Sequence, residues 1–351
     1  MIDGPGITFD SGRLFAAPEW YPYHVEGGAR TLEFRYMTAD DYRATPFLDH
    51  RIVTHPDAPR QVLHFTRLPA RDALPAPQAT WFIFHNAFCC STLLTRYLDA
   101  LHYTLVLREP HSLYELATLK RFKGTGIMPE LDTGEWQWLY DLLTVLLARR
   151  YRDGPPVIVK PSDGCNNLMT NLLQANAGNK GIFIYSTLER FLASVLKLPQ
   201  RHEWARIRVR ELSLDKRQRG VPVLDPRPLN HWQCATLVWV YHMQSYRDTL
   251  AAVGRERLCA IDSQALLAGP AQTLDAVMNF YQGDEASFFE RPVRPFEVSG
   301  SHSKDPQQSY DPAQRERDFA EVRQRRRQEI DAGLAWGCEL LGVSDTATFI
   351  S

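Results

Sequence analysis

No uninterrupted apolar run in this 351-residue chain approaches the roughly 20 residues that a membrane-spanning helix needs. Charge of one sign is also lacking: 40 Lys and Arg face 41 Asp and Glu, for a formal net charge of −1. That balance gives no global pull toward nucleic acid or an anionic membrane, so any anion binding must be local. The six cysteines, at 89, 90, 165, 234, 259 and 338, show no CxxC-type ligand spacing, and adjacent Cys89 and Cys90 are poorly placed to bridge each other. A reduced, cytoplasmic protein without a zinc site is expected. The opening MIDGPGITFDSGRLFAAPEW has no basic segment followed by an apolar one, so no secretory signal is read there. Internal repeats and low-complexity segments are absent too.

What is present suffices for a large core: 44% of the residues are hydrophobic and 11% aromatic. Residues 1–78 read as an N-terminal lobe with short strands, 79–310 as an α/β core and 311–351 as a helical C-terminal segment, the three together forming one structural domain. WFIFH is a compact apolar run suited to a buried strand, followed by a helix from about Ser91 to Leu101. YTLVLRE is a second short strand. Asp132 and Glu135 make a capping-box start to a helix over 133–150. VIVK and GIFIYS are further strands, LMTNLLQAN and ERFLASVLK further helices. HWQCATLVWVYHMQSYRDTLAAV predicts a long helix, RLCAID a strand, and 312–341 one charged helix. The alternation predicts an α/β fold with a central parallel sheet flanked by helices on both faces. The basic run Arg201–Arg219 interleaves acids with bases and reads as a solvated or substrate-facing segment rather than a nucleic-acid interface.

Ligands of open α/β sheets bind outside the carboxyl ends of the strands. That rule draws attention to His85–Thr92, Arg108-Glu109, Lys160–Asp163 and Ser186–Ser194. In FIFHNAFCCSTLL the chain turns from strand to helix near Cys89–Thr92, where free N–H groups and the helix dipole favour an anion. The hydroxyls of Ser91 and Thr92 add donors. The loop has no glycine, and Cys90 can stand in it as long as its φ stays negative. A plain N-capped core helix is the competing reading. Glu109 precedes Pro110, which predicts an extended conformation, and can serve as a base or form a salt bridge with Arg108. His85 and His111 are rival bases. Lys160 ends an apolar strand, a costly place for a cation unless it meets an anion or snorkels to the surface.

In these segments, and in their order, the chain resembles the sulfotransferase superfamily over roughly residues 80–310, nearer the bacterial and tyrosylprotein types than the cytosolic steroid and phenol types. FHNAFCCSTLLTRYLDA is similar to the family's 5′-phosphate loop, with Cys90 where glycine is usual and Phe88 where Arg or Lys is usual. LREPHSL resembles the segment where tyrosylprotein-type members carry a catalytic glutamate, at Glu109. VIVKPSD resembles the strand end that carries Lys-Thr-His in cytosolic members; Lys160 remains and Ser162 replaces the histidine. GIFIYSTLERFLASVLK is similar to the 3′-phosphate segment; Ser194 matches its serine and Ser186 replaces its arginine, with Arg190 one turn before Ser194. LLAGPAQTLDAVMNFY looks like a late family helix.

The resemblance implies a P-loop-like sulfotransferase fold and transfer of a sulfuryl group from 3′-phosphoadenylyl sulfate (PAPS) to a hydroxyl or amine, without metal, leaving 3′,5′-adenosine bisphosphate (PAP). It implies Glu109 and Lys160 as catalytic, and Phe88, Cys89, Cys90, Ser91, Thr92, Ser186, Arg190, Ser194 and Lys304 as donor-binding. With Ser186 in the arginine's place, one of Arg190, Arg201, Lys304 or His302 must substitute. Two alternatives stand beside it: a non-catalytic binding or scaffold protein on the same fold, and a P-loop-type nucleotide kinase, which the missing loop lysine disfavours.

Overall fold

The computed structural model describes residues 9–54, 57–151, 153–282, 301–302, 305–309 and 312–350. Near the start, strands β1 (Trp20–Glu26), β2 (Thr31–Tyr36) and β3 (Arg60–His64) form an antiparallel sheet in the order β1-β2-β3. The short helix α1 (Ala39–Ala44) begins in a capping box between Thr38 and Asp41. The short strands expected in this region are present.

The central sheet has five strands: β4 (Thr80–His85), β5 (Val106–Arg108), β6 (Val157–Lys160), β7 (Lys180–Tyr185) and β8 (Leu258–Asp262), in the order β5-β6-β4-β7-β8. The pairs β4/β6, β5/β6 and β7/β8 are parallel. Every residue of β4 and β6 is buried, which is why these strands read as unbroken apolar runs instead of alternating. From β4 the chain leaves toward β5, whereas from β7 it leaves toward β8 on the other side. The carboxyl ends of β4 and β7 therefore mark the topological switch point where ligands of such sheets bind.

Helices α2 (Ser91–Asp99), α3 (His111–Arg121), α4 (Thr133–Leu147), α5 (Met169–Gln174) and α6 (Leu188–Leu196) connect these strands. After them come α7 (Pro199–Gln218), α8 (His231–Val253), α9 (Ser263–Ala268) and α10 (Pro270–Gln282), then a ribbon of β9 (Ser301–His302) and β10 (Asp305–Ser309), and α11 (Pro312–Arg325) with α12 (Arg327–Leu341). Asp132 and Glu135 make the expected capping box at the start of α4. No helix among the described residues is long and apolar enough to cross a membrane.

Three expectations change. The segment after Arg201 is not a solvated stretch but most of α7, whose buried stripe runs Ala205, Arg208, Val209, Leu212, Asp215 and Lys216. The charged members of that stripe have polar partners: Arg208 pairs with Glu211 at 2.5 Å, Lys216 lies 3.6 Å from Asp248, and Asp215 accepts a hydrogen bond from the Asn167 amide at 2.9 Å. Residues 111–121 form α3, an element not assigned from the sequence. The single charged helix over 312–341 is two, because Arg326 (φ −109°, ψ 24°) leaves the helical region.

The chain clusters into two compact units, one of Met1–Phe82, Leu98–Cys165 and Asn171–Asn179, the other of Ile83–Tyr97, Asn166–Thr170 and Lys180–Ser351. In the first, buried Arg149 ties the carbonyls of Leu14 (2.6 Å), Trp20 (2.8 Å) and Leu146 (2.6 Å) together. In the second, α12 packs on α6 and α8 through glycines: a Cβ on Gly333 would lie 2.7 Å from Leu192, and one on Gly337 2.5 Å from Leu188. Both leucines are fully buried. Gly337→Leu is expected to overpack this seam and lower the unfolding free energy by about 1–3 kcal/mol, read from the midpoint of a urea transition.

Candidate functional site

The loop from β4 to α2 departs from the expectation for Cys90. Its φ is +61°, and Ala87 (+66°) and Phe88 (+50°) are also left-handed. Three non-glycine residues in this conformation within four positions make a tight turn, and backbone turns containing left-handed residues are a known way of presenting N–H groups to anions. The first bond of α2 runs from the Leu94 N–H to the Cys90 carbonyl at 3.1 Å, so the N–H groups of the preceding turn point out of the helix end. The hydroxyls of Ser91 and Thr92, only 6% and 4% exposed as residues, make no hydrogen bond to another described residue; the Thr92 backbone carbonyl accepts from the Thr95 hydroxyl.

A left-handed non-glycine residue costs about 1–2 kcal/mol, so the surroundings must hold the loop. They do so through its base. The Asn86 side chain, fully buried, donates to the Ser186 carbonyl and accepts from the Ser186 N–H, both at 3.3 Å. Trp239 Nε1 donates to the same carbonyl at 2.8 Å. Asn166 donates to the His85 carbonyl at 2.9 Å, and His85 Nδ1 accepts the Ala87 N–H at 3.1 Å. His85 thereby has a structural part in the turn. Ser186, at the end of β7, keeps its hydroxyl buried with no partner among the described residues.

Phe88, standing in the cation's place, is a platform. Its ring meets Trp204 edge-on at 4.9 Å and Phe191 at 5.9 Å. The Arg201 guanidinium lies over it at 4.8 Å, and Arg201 Nη1 donates to the Ser194 carbonyl at 2.6 Å. A stacked cation of this kind contributes about 0.5–2 kcal/mol. Burial pushes the Arg201 pKa below its ordinary value, and among the described residues no carboxylate pairs with it. Arg190 differs: it grips Glu316 of α11 through two bonds at 2.9 and 2.8 Å and lies over Phe319. Ser194 is on α6 with Arg190. Lys304 lies outside the described residues.

Glu109 and Lys160 belong to the first unit, and there they meet. In the β5/β6 ladder Arg108 faces Lys160, and the Glu109 N–H donates to the Lys160 carbonyl at 2.6 Å. The Lys160 ammonium, fully buried, forms an ion pair with Glu109. Glu109 is not extended: its φ is +53°, and the ladder bond together with the ion pair holds it there. Arg51 Nη2 is 3.8 Å from the other carboxylate oxygen. Arg108 does not pair with Glu109; it reaches Asp99 (3.3 Å) and the carbonyls of Tyr42 (2.8 Å) and Arg43 (3.1 Å). His111 Nε2 is occupied by Glu115 at 3.0 Å.

Sequence reasoning could place Arg201 only among four substitutes, because its stacking partner lies 113 positions earlier and the Ser194 carbonyl carries no side-chain signal. Asn86 lies in the stretch singled out from the sequence but was given no role, and Asn166 and Trp239 were missed outright; each acts through a backbone carbonyl, which leaves no pattern in the chain.

No protein-family model matches the sequence, and no curated protein does. Among solved structures the chain is similar to a sulfotransferase domain from the curacin biosynthetic pathway, at 16% identity over 72% of this chain and 98% of that one, with a TM-score of 0.38. A sulfotransferase from Alicyclobacillus acidocaldarius follows at 13% identity over 78% and 98%, with a TM-score of 0.36. The sulfotransferase domain of the Synechococcus PCC 7002 olefin synthase gives 14% identity over 72% and 96%, also at 0.36.

The loop's backbone makes a direct test. Cys90→Gly should raise stability by up to ~1 kcal/mol by relieving the left-handed strain, whereas Cys90→Val should cost about 1–3 kcal/mol, both read from denaturant unfolding.

Proposed function

We propose that this chain is a sulfotransferase that moves a sulfuryl group from PAPS to a hydroxyl or amine acceptor. The observation that carries the reading is the left-handed loop at the β4/β7 switch point, joined by a half-buried arginine that has no carboxylate partner among the described residues. In this reading the N–H groups of Phe88 to Thr92 and the Ser91 and Thr92 hydroxyls take the 5′-phosphosulfate. Arg201, with Ser186 and Ser194, takes the 3′-phosphate in place of the family's arginine; Arg190 and Lys304 remain candidates for the same phosphate.

For the chemistry, the acceptor oxygen or nitrogen forms a bond to sulfur as the bond from sulfur to the 5′-phosphate oxygen breaks. Glu109 takes the acceptor's proton, and Lys160 stabilises the charge left on the departing oxygen. Backbone donors and these cations carry the electrostatic work. The mutual satisfaction of Lys160 and Glu109 also favours a second reading, in which the pair is structural and the chain binds a nucleotide without turnover.

Calorimetric titration with PAP, with and without Mg²⁺, tests the proposal. Metal-independent binding is expected, with Arg201→Ala weakening it by about 10–150-fold, the equivalent of one or two charge-assisted bonds. Absence of binding at millimolar PAP would refute the reading, and Mg²⁺-dependent ATP binding would point to a kinase. Glu109→Gln should leave PAP affinity unchanged while lowering PAP release in the presence of an acceptor panel by about 10²–10⁴-fold. Binding with no turnover in the native chain, and indifference to Glu109→Gln, would establish the non-catalytic alternative.

A further inference from the structure

A second cluster of chemistry-bearing side chains lies in the first unit, apart from the ion pair already described. His24 is on β1, His111 is the first residue of α3, and Glu115 follows one helical turn later, on the same face as His111. One oxygen of Glu115 faces both rings: it pairs with His24 Nδ1, and His111 Nε2 stands 3.0 Å from it. The three ligand atoms all lie within 4.8 Å of one another.

The backbone beneath the cluster is fixed. The Ser112 hydroxyl donates to the Pro22 carbonyl at 2.7 Å, and the His111 N–H reaches both the Tyr21 hydroxyl (3.1 Å) and the Leu48 carbonyl (3.0 Å). The other Glu115 oxygen accepts the Val25 N–H at 2.6 Å, which aims the carboxylate at the rings as an outer-shell bond aims a metal ligand. The rings of His24 and His111 stack 5.9 Å apart at 17°. Side-chain exposures of 39% for His24, 30% for His111 and 16% for Glu115 leave a path from solvent. The nearby cation Arg35 is paired with Glu33 at 2.9 Å, and Glu26 adds negative charge 4.0 Å from His24 Nε2.

We propose that His24, His111 and Glu115 form a binding site for a divalent transition metal of the zinc class, with a coordination position open to solvent. Metal–ligand lengths of 2.0–2.2 Å put neighbouring ligands of tetrahedral zinc about 3.3 Å apart, so side-chain adjustment alone closes the site. Two imidazoles and one carboxylate select zinc or cobalt over calcium or magnesium. The site is independent of sulfuryl transfer. The expectation of a protein without zinc rested on cysteine spacing, which is blind to ligands drawn from β1 and from a helix 87 residues later.

The test uses the full chain after chelator treatment. Co²⁺ titration should give one equivalent with the visible absorption of a nitrogen–oxygen site, displaced by Zn²⁺, and Zn²⁺ should raise the melting temperature. His24→Ala and Glu115→Gln, each checked for folding by circular dichroism, should weaken Zn²⁺ by ~100-fold or more and abolish the thermal shift. The wild-type spectrum decides the matter even where a variant fails to fold. A sulfur-to-metal charge-transfer band would assign the metal to cysteines and overturn the proposal. So would uptake unchanged in both variants, or none at 100-micromolar-scale metal in a protein whose folding is intact.

Discussion

Everything at the end of β4 depends on holding a backbone in a conformation its residues resist. Ala87, Phe88 and Cys90 are left-handed without a glycine among them, and each such residue costs about 1–2 kcal/mol. Against a total stability of about 5–15 kcal/mol for a typical domain, that is a large local debit. It persists because the base of the loop is over-determined: Asn86 is locked to both polar groups of the Ser186 backbone, and Trp239 and Asn166 bond the carbonyls on either side. Those bonds are made between buried groups, where leaving either partner unsatisfied costs more than the bond itself contributes. Strain of this kind persists only where the surrounding structure over-determines it. Glu109, whose positive φ is fixed by the β6 ladder and its bond to Lys160, is a second instance.

The elements that were legible in the sequence are those whose signal is local. β4 and β6 are buried on both faces and read as apolar runs; α4 announces itself with Asp132 and Glu135; α8 carries its own long apolar content. α7 was hidden because four of the residues on its buried side are polar or charged, and only their partners make burial tolerable. The sign of φ at Cys90 and Glu109 was equally out of reach. A residue's propensity says which conformations are cheap, whereas these two are held in costly ones by bonds to distant backbone. The three-residue His24, His111 and Glu115 cluster is tertiary throughout, apart from the helical spacing of its last two members.

Positive charge near the loop comes from a residue outside it. Where the resemblance implies a loop cation the chain carries Phe88, which brings no charge but offers a face, and Arg201 lies over that face. The aromatic stack with Trp204 and Phe191 fixes the ring, and the Ser194 carbonyl fixes one edge of the guanidinium. What remains is a planar, always-charged group, partly desolvated and held by a ring and a carbonyl, neither of which cancels its charge. Arg190 is the useful contrast on the neighbouring helix. Both of its terminal nitrogens are spent on Glu316, so binding an anion there would first require breaking a bidentate pair. Among the described residues Arg201 has no such pair to break. In a chain whose overall charge is near zero, attraction for an anion must come from cations left locally uncompensated, and by that criterion Arg201 outranks Arg190 although Arg190 lies nearer in sequence to the expected position.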